Sequence, residues 1–319
     1  MRAIVVTRPG GPEVLEVQDV PEPEAQSGQL LVAIEAVGVN YRDVYEREGR
    51  YRTPPLIAGV EGAGTVLEVG EGVTDLAEGD RVAWSDAPGS YAERVAVEAT
   101  RLVPVPERLS NELAAAVLLQ GMTAHYLATD TYRVEAGDAV LLHAAAGGVG
   151  LLLTQVVKQR GGRVIATTSN EEKGELARGA GADEVIRYAG FGERARELTG
   201  GDGVEAVYDG VGRTTFEESL ASLRVRGTMV LYGAASGPVP PFDPMQLESA
   251  GSLFLTRPTL RHYTARREEL LARAREVLGW VADGKLEVHI GGRYPLEDAR
   301  KAHEGLEGRR TTGKLLLLP

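Results

Sequence analysis

The chain has no cysteine among its 319 residues. Disulfides and cysteine-ligated metals are therefore excluded, and the composition suits a reducing compartment. Long apolar runs are missing too: no stretch approaches the roughly 18 residues a membrane-spanning helix requires. The opening "MRAIVVTRPGGPEVLEVQDV" has too short an apolar run, and turns acidic too soon, for a secretory leader. Positive charge is in deficit, with 35 Lys and Arg against 46 Asp and Glu and a net charge of −11. Such a chain binds polyanions poorly, because phosphates need clustered Lys and Arg. The densest basic stretches, "RHYTARR" (261–267) and "EGRRTTGK" (307–314), have acidic neighbours and read as solvated faces. Aromatics make up only 5% of the chain, too few for base-stacking platforms. The expectation is a cytoplasmic globular protein with neither a nucleic-acid nor a membrane partner.

Apolar residues are plentiful, at 43%, and they are patterned. Residues 1–118 carry short alternating runs ("RAIVVT", "QLLVAIEAV", "GTVLEVG", "DRVAW", "YAERVAV") separated by Gly, Pro and Asp, as in a small barrel or sandwich. From about residue 119 the pattern changes to strands alternating with helices. The strands read at 139–144, 163–168, 184–188, 204–210, 228–233 and 252–256, with helices such as "VGLLLTQVVKQR" and "TTFEESLASLRV" between them. This alternation means a parallel sheet covered on both faces. The remainder, 257–319, begins with a long helix and finishes in the strand "GKLLLLP". A lone strand needs a sheet to join, and the β-rich 1–118 is the expected host. The fold class is α/β, with a β-rich unit (1–118 and 257–319) and a doubly wound unit (119–256).

The strongest local signal is "AVLLHAAAGGVGLLLTQVVK". A strand ends, Ala146, Gly147, Gly148 and Val149 follow, and a helix begins. Ala145, Gly147 and Gly150 fit the dinucleotide fingerprint G-x-G-x-x-G with one substitution. Glycines let the backbone approach a pyrophosphate, and the helix N-terminus offers free N–H groups and partial positive charge. The fingerprint calls for an acidic residue about 20 positions on, to hold the ribose 2′-hydroxyl of NAD. Nineteen residues after Gly150 stands Ser169. A carboxylate there would repel a 2′-phosphate by about 4 kcal/mol per like-charge pair at ~4 Å and an effective dielectric of ~20. Serine removes that repulsion, Lys173 adds a positive charge within one helical turn, and Tyr188 at the next strand end can close the pocket. The expected cofactor is NADPH.

Several blocks together resemble zeta-crystallin-like quinone oxidoreductases of the medium-chain dehydrogenase/reductase superfamily: "GVNYRDVYEREGRY" (38–51), "GVEGAGTVLEVGEGV" (59–73), "QGMTAHYL" (120–127), "GDAVLLHAAAGGVGLLLTQVVK" (137–158), "VYDGVGRTTFEESL" (207–220), "TRPTL" (256–260) and "RRTTGKLLLLP" (309–319). The resemblance covers nearly the whole chain. It implies a GroES-like catalytic domain around a Rossmann domain, and homodimers or larger oligomers formed through the Rossmann domains. It implies NADPH bound by Ser169, Lys173 and Tyr188, with Arg309, or Arg310 after a one-residue slip, near the 2′-phosphate. Thr123, Gly147, Val149 and the strand end Tyr232, Gly233, Ala234 to Ser236 would line the cofactor, with Phe254, Leu255 and Thr256 near the nicotinamide.

Zinc-dependent members of this superfamily hold a metal with Cys, His and a further ligand. Here Asn40 stands near the cysteine position, Val60 replaces the histidine, and "WSDAPGSYAERVAV" (84–97) replaces the cysteine-rich lobe. The five histidines (125, 143, 262, 289, 303) show no ligand spacing. No metal is expected. That narrows the chemistry, because reducing a plain ketone creates an alkoxide that needs a Lewis acid or proton donor. Hydride addition to a quinone instead gives a phenolate whose conjugate acid has a pKa of about 10, which tolerates a site without metal. The expected reaction is hydride transfer from NADPH to a quinone held between the domains. Asn40 would donate to the acceptor or the nicotinamide ribose, and Tyr45 and Tyr51 would touch the quinone. Asp43 matches the family block and equally suits a helix cap. Two rivals remain open: an NADPH-dependent reductase of enones, alkenals or enoyl thioesters, and a structural or RNA-binding role, which the acidic balance disfavours.

Overall fold

The computed structural model describes residues 1–51 and 53–319. The chain divides into two compact units, Met1–Met122 with Thr264–Pro319, and Thr123–Tyr263. Together they make an α/β protein with a GroES-like β-rich unit and a Rossmann unit.

In the first unit the organising strand is Gln29–Val39. One edge pairs antiparallel with Gly62–Val69; the other is shared by Arg94–Glu98 along its first half and Lys314–Leu318 along its last. Register shifts between Leu31 and Val32 and between Ile34 and Ala36 bend the strand, as bulges do. The bend lets one strand serve these neighbours and curls the sheet. Arg81–Trp84 and Val103–Pro104 extend one side, and Ile290–Pro295 pairs parallel with Lys314–Leu318 on the other. The C-terminal strand thus joins the sheet its apolar run required. A smaller sheet, Leu15–Asp19, Arg2–Val6 and Leu56–Ile57, contributes Ile4 and Val6 to the same core as Leu30, Val32, Val82, Trp84, Leu315 and Leu317.

The second unit holds six parallel strands. In spatial order they are Glu184–Ile186, Arg163–Thr167, Ala139–Leu142, Val204–Asp209, Leu223–Leu231 and Phe254–Thr256. Numbered along the chain this is 3-2-1-4-5-6, the doubly wound Rossmann order. Its switch point lies between Ala139–Leu142 and Val204–Asp209, so ligands are expected at the carboxyl ends of those strands. All six strands expected from the pattern are present. One boundary differs. The helix read into "TTFEESLASLRV" stops at Ser222, and Leu223–Leu231 is already strand. Leu223 is buried against Phe216 and Leu220, so core packing overrides the helical pattern of that tripeptide. The two-residue strand Leu56–Ile57 and the half-polar strands Leu15–Asp19 and Ile290–Pro295 were not anticipated; the first is too short to show a period, and the other two hold few apolar residues.

Among the described residues no helix is long and apolar enough to cross a membrane.

Candidate functional site

In the Rossmann unit the first strand ends at Leu142, and the chain turns through Ala144, whose φ is 52°. The helix Gly148–Gln159 follows, with Gly147 as its N-cap and no side chain capping it. Its first-turn N–H groups therefore point to the carboxyl edge of the sheet without a protein acceptor from a cap. A Cβ at Gly150 would lie 2.4 Å from the Ala144 oxygen and 2.7 Å from the Ala145 Cα. Only glycine permits that approach of helix to strand. A Cβ at Gly147 would stand 3.1 Å from the Ala144 oxygen and intrude on the cradle. Uncapped donors behind a glycine cradle fit a dinucleotide pyrophosphate.

Ser169, Lys173 and Tyr188, expected to select the cofactor, lie at the same edge. Thr167 pairs with Ile186, and Ala166 with Leu142. Ser169 and Tyr188 thus each stand two residues past a strand end. Ser169 is exposed. Asn170 caps the helix Glu171–Gly179 by accepting the backbone N–H of Lys173 at 2.9 Å, which places Lys173 in the first turn. The Tyr188 hydroxyl accepts the N–H of Ala144 at 3.0 Å. The tyrosine expected to close the ribose pocket therefore also ties that strand to the start of the glycine loop.

A buried polar chain fixes these strand ends. His143 Nδ1 meets the Thr167 hydroxyl and Nε2 the Ser219 hydroxyl, both at 2.8 Å. Ser219 donates to Asp209 Oδ2 at 3.3 Å, and Thr215 to the same oxygen at 2.7 Å. Asp209 Oδ1 accepts the N–H groups of Val211 and Gly212. Burial holds the His143 pKa down to about 4, so the ring is neutral. The set has serine, histidine and aspartate but not the wiring of a hydrolytic triad. Aspartate binds serine rather than histidine, and all three are sealed from solvent. It pins three strand ends around the switch point. The turn Tyr232 to Ser236 packs there as well: Tyr232 N–H donates to Asp209 O, and the Ser236 hydroxyl to Val211 O. Phe254, Leu255 and Thr256 form the edge strand; Thr256 lies level with Val230, while Phe254 sits two residues back and is 62% exposed. Thr123 is buried in the helix Asn111–Tyr126.

The other candidate residues belong to the GroES-like unit and cluster around the helix Tyr41–Arg47. Asn40 is its N-cap and is buried. Its side-chain Nδ2 donates to Glu61 Oε2 at 2.7 Å and Gly38 O at 3.2 Å. Both amide hydrogens expected to reach an acceptor are thus engaged within the protein. Asp43 serves the helix: its Oδ2 accepts the Asn40 backbone N–H at 2.8 Å and the Tyr91 hydroxyl at 3.0 Å. Burial drives its pKa up to about 7 against the pull of those two bonds. The chain continues from Tyr91 to His303 Nε2 at 3.0 Å and from His303 Nδ1 to Arg47 at 3.1 Å. Arg47 closes it with two bonds to Glu307. Guanidinium only donates, so Nδ1 must accept, and Nε2–H then donates to Tyr91. Burial beside Arg47 holds His303 neutral, its pKa lowered to about 3. Every bond from Arg47 to Asp43 runs one way, which anchors the helix.

Three tyrosines run along that helix and beyond it. The Tyr45 ring lies 5.5 Å from Tyr41 and 6.0 Å from Tyr51, with the Arg50 guanidinium 5.0 Å from its centroid. Tyr45 is packed at 8% exposure, whereas Tyr51 is 60% exposed. Of the two candidates, Tyr51 is the one open to a planar ligand. Arg309, at a φ of 54°, and Arg310 lie in the loop before Lys314–Leu318, and the Arg310 guanidinium donates to Glu304 O at 3.0 Å. Sequence reasoning passed over Glu61, Tyr91, Lys314 and Arg47. The available signal was a lone Glu inside "IAGVEGAGTV" and a lone Lys heading "LLLL", opposite charges in runs that must be buried.

A Rossmann sheet with an uncapped glycine-loop helix, in a chain that also holds a GroES-like unit, defines a dehydrogenase or reductase of the alcohol dehydrogenase type. Residues 26–107 match the alcohol dehydrogenase GroES-like domain, and residues 148–282 match the zinc-binding dehydrogenase domain. The sequence is 43% identical over 315 residues to the quinone oxidoreductase of Pseudomonas aeruginosa, covering 97% of each chain. The structure matches a mycobacterial protein solved in complex with NADPH, with a TM-score of 0.97 at 51% identity over 100% of both chains. It matches Escherichia coli quinone oxidoreductase complexed with NADPH equally well, with a TM-score of 0.97 at 40% identity over 100% of both chains. The chain belongs to the quinone oxidoreductase family of the medium-chain dehydrogenases/reductases.

The zinc in that domain's description does not fit the residues present. There is no cysteine, Val60 supplies no donor, and the neighbouring Glu61 carboxylate already binds an ammonium and a backbone N–H. Among the described residues no group of three or more His, Asp or Glu is arranged to hold a metal ion.

Proposed function

We propose that this protein is an NADPH-dependent quinone oxidoreductase that works without a metal, in the cytoplasm, as a homodimer. The observation that carries the reading is the carboxyl edge of the Rossmann sheet, where a neutral Ser169 replaces the acidic residue beside an uncapped glycine-loop helix. Ala146, Gly147, Gly148 and Val149 would hold the pyrophosphate, and Ser169, Lys173 and Tyr188 the phosphorylated ribose. When bound, NADPH supplies the hydride. The chain's own residues bind and orient. Tyr51 offers an exposed aromatic face with a hydroxyl to a quinone ring, and Tyr45 and Tyr41 back it. Asn40 and Asp43 set the helix that carries Tyr41 and Tyr45.

The dimer is supported by the edge strand Phe254–Thr256, which has a sheet partner on one side only, and by exposed Phe254 and Val225 nearby in the same sheet. An open apolar edge is a pairing surface that natural proteins cover. The net charge of −11 argues against a nucleic-acid partner.

The test follows NADPH absorbance at 340 nm with benzoquinone and naphthoquinones, then with an enone, an alkenal and an enoyl thioester, each repeated with NADH. Fast oxidation by quinones with a strong NADPH preference is expected. Faster turnover of an alkene would move the activity to ene reduction, and equal use of NADH would remove the role given to Ser169.

A further inference from the structure

Among the described residues Glu61 and Lys314 are the most deeply buried ion pair, at 0% and 1% side-chain exposure. Glu61 Oε1 accepts the backbone N–H of Leu119 at 2.7 Å, while Oε2 takes Asn40 Nδ2 and the Lys314 ammonium. Lys314 also donates to Asn40 Oδ1 at 2.9 Å, and Gln120 Nε2 approaches the same oxygen at 3.3 Å. Gly38 makes room for the carboxylate, since a Cβ there would lie 2.3 Å from Glu61 Oε2. Four segments meet at this point: the end of Gln29–Val39, the start of Gly62–Val69, the helix Asn111–Tyr126 and the start of Lys314–Leu318.

A buried ion pair is rarely worth more than two well-packed apolar side chains, so stability alone does not account for it. Its geometry does something apolar groups would not. An asparagine amide can flip by half a turn, exchanging its oxygen and nitrogen. Ammonium only donates and carboxylate only accepts. With Lys314 on one side of Asn40 and Glu61 on the other, a single orientation satisfies every atom. Asn40 is the N-cap of the helix that carries Tyr41 and Tyr45, so fixing it fixes the direction in which they project.

We propose that the Lys314 ammonium is the resident cation of this site, standing beside Asn40 and Glu61 in a chain whose donors do not fit zinc, and that it is a positioning residue acting through Asn40. The inference rests on the reading that the tyrosine helix faces the acceptor. Lys314 touches no reacting atom; it keeps Glu61 paired and Asn40 oriented.

The test uses the full-length protein carrying Lys314→Ala, Lys314→Arg or the double change Glu61→Gln with Lys314→Met, which removes both charges and guards against misfolding. Each is assayed for melting temperature, for NADPH binding by fluorescence, and for kcat and KM with naphthoquinone, with wild type alongside. The expected result is a double variant that folds and binds NADPH within about threefold of wild type, but loses about tenfold or more in kcat/KM for the quinone. Lys314→Arg should retain most of that activity. Ethylammonium added to Lys314→Ala should raise both its melting temperature and its quinone turnover, whereas ethanol should raise neither. A folded double variant with quinone kcat/KM within about twofold of wild type would overturn the proposal. So would a folded Lys314→Ala protein indifferent to ethylammonium. Wild-type protein that oxidises NADPH with alkenes and not quinones would instead sink the functional reading, and the amine effect on melting temperature would still decide the role of Lys314.

Discussion

Each unit buries one aspartate beside the residues that matter, and the two are treated differently. Asp209 receives four donors, two backbone N–H groups on Oδ1 and two hydroxyls on Oδ2. Asp43 receives two, both on Oδ2, while Oδ1 has no hydrogen-bond partner, and its pKa climbs to about 7. A buried carboxylate must be saturated or protonated. The Rossmann unit saturates its aspartate and so holds the switch point rigid. The GroES-like unit leaves its aspartate half-satisfied and balances it against a neutral histidine two bonds away.

The sharpest way to break the contrast is Asp209→Ala. It orphans four donors at once and should cost about 3 kcal/mol or more, read from urea unfolding, together with loss of NADPH affinity. Retention of both would show that the network is dispensable. Next in size is Ser169→Asp, which restores the carboxylate of an NAD-type site. NADPH kcat/KM should fall by about 100-fold to 1000-fold with NADH little changed, given about 4 kcal/mol per like-charge pair. An unchanged ratio would mean that the ribose end lies elsewhere.

The pH dependence of stability sharpens the comparison further. The stability tied to the raised Asp43 is complete below its unfolded value near 3.8 and is lost as pH rises through about 7. His303 and His143, depressed to about 3 and about 4, act oppositely: their contribution is complete above 6.5 and is lost as pH falls. Asp43 and the histidines therefore offset each other across the acidic range. Asp43→Asn should make stability climb more steeply with pH between 4 and 6.5, and His303→Gln should flatten or reverse that slope. Parallel slopes in denaturant midpoints for both variants and wild type would refute the coupling. The smallest effect expected is that of Tyr51→Phe, a loss of a few-fold in kcat/KM for quinones from one hydroxyl. No change would leave Tyr51 a stacking surface at most.

The two units were unequally legible in the sequence. The Rossmann strands announce themselves because parallel strands buried on both faces are continuous apolar runs, and the glycine loop has fixed spacing. Ser169 was proposed by counting 19 residues from Gly150. The site around Asn40 offered no such ruler. Glu61 and Lys314 are 253 residues apart, and nothing local says that a lone Glu and a lone Lys will meet. Asp43 was equally readable as cap or catalyst; its bonds to Asn40 and Tyr91 place it with the helix. Tyr45 and Tyr51 look alike on paper, and only exposure separates them.

The long separation of Glu61 from Lys314 also bears on how the chain is made. A ribosome adds Lys314 253 positions after Glu61, and the whole Rossmann unit is synthesised in that interval. A carboxylate cannot leave water alone without heavy cost. The buried pair, and the pairing of Lys314–Leu318 with Gln29–Val39, can therefore form only after the Rossmann unit has been synthesised. The contact between Lys314 and Asn40 is thus among the last that the growing chain can make.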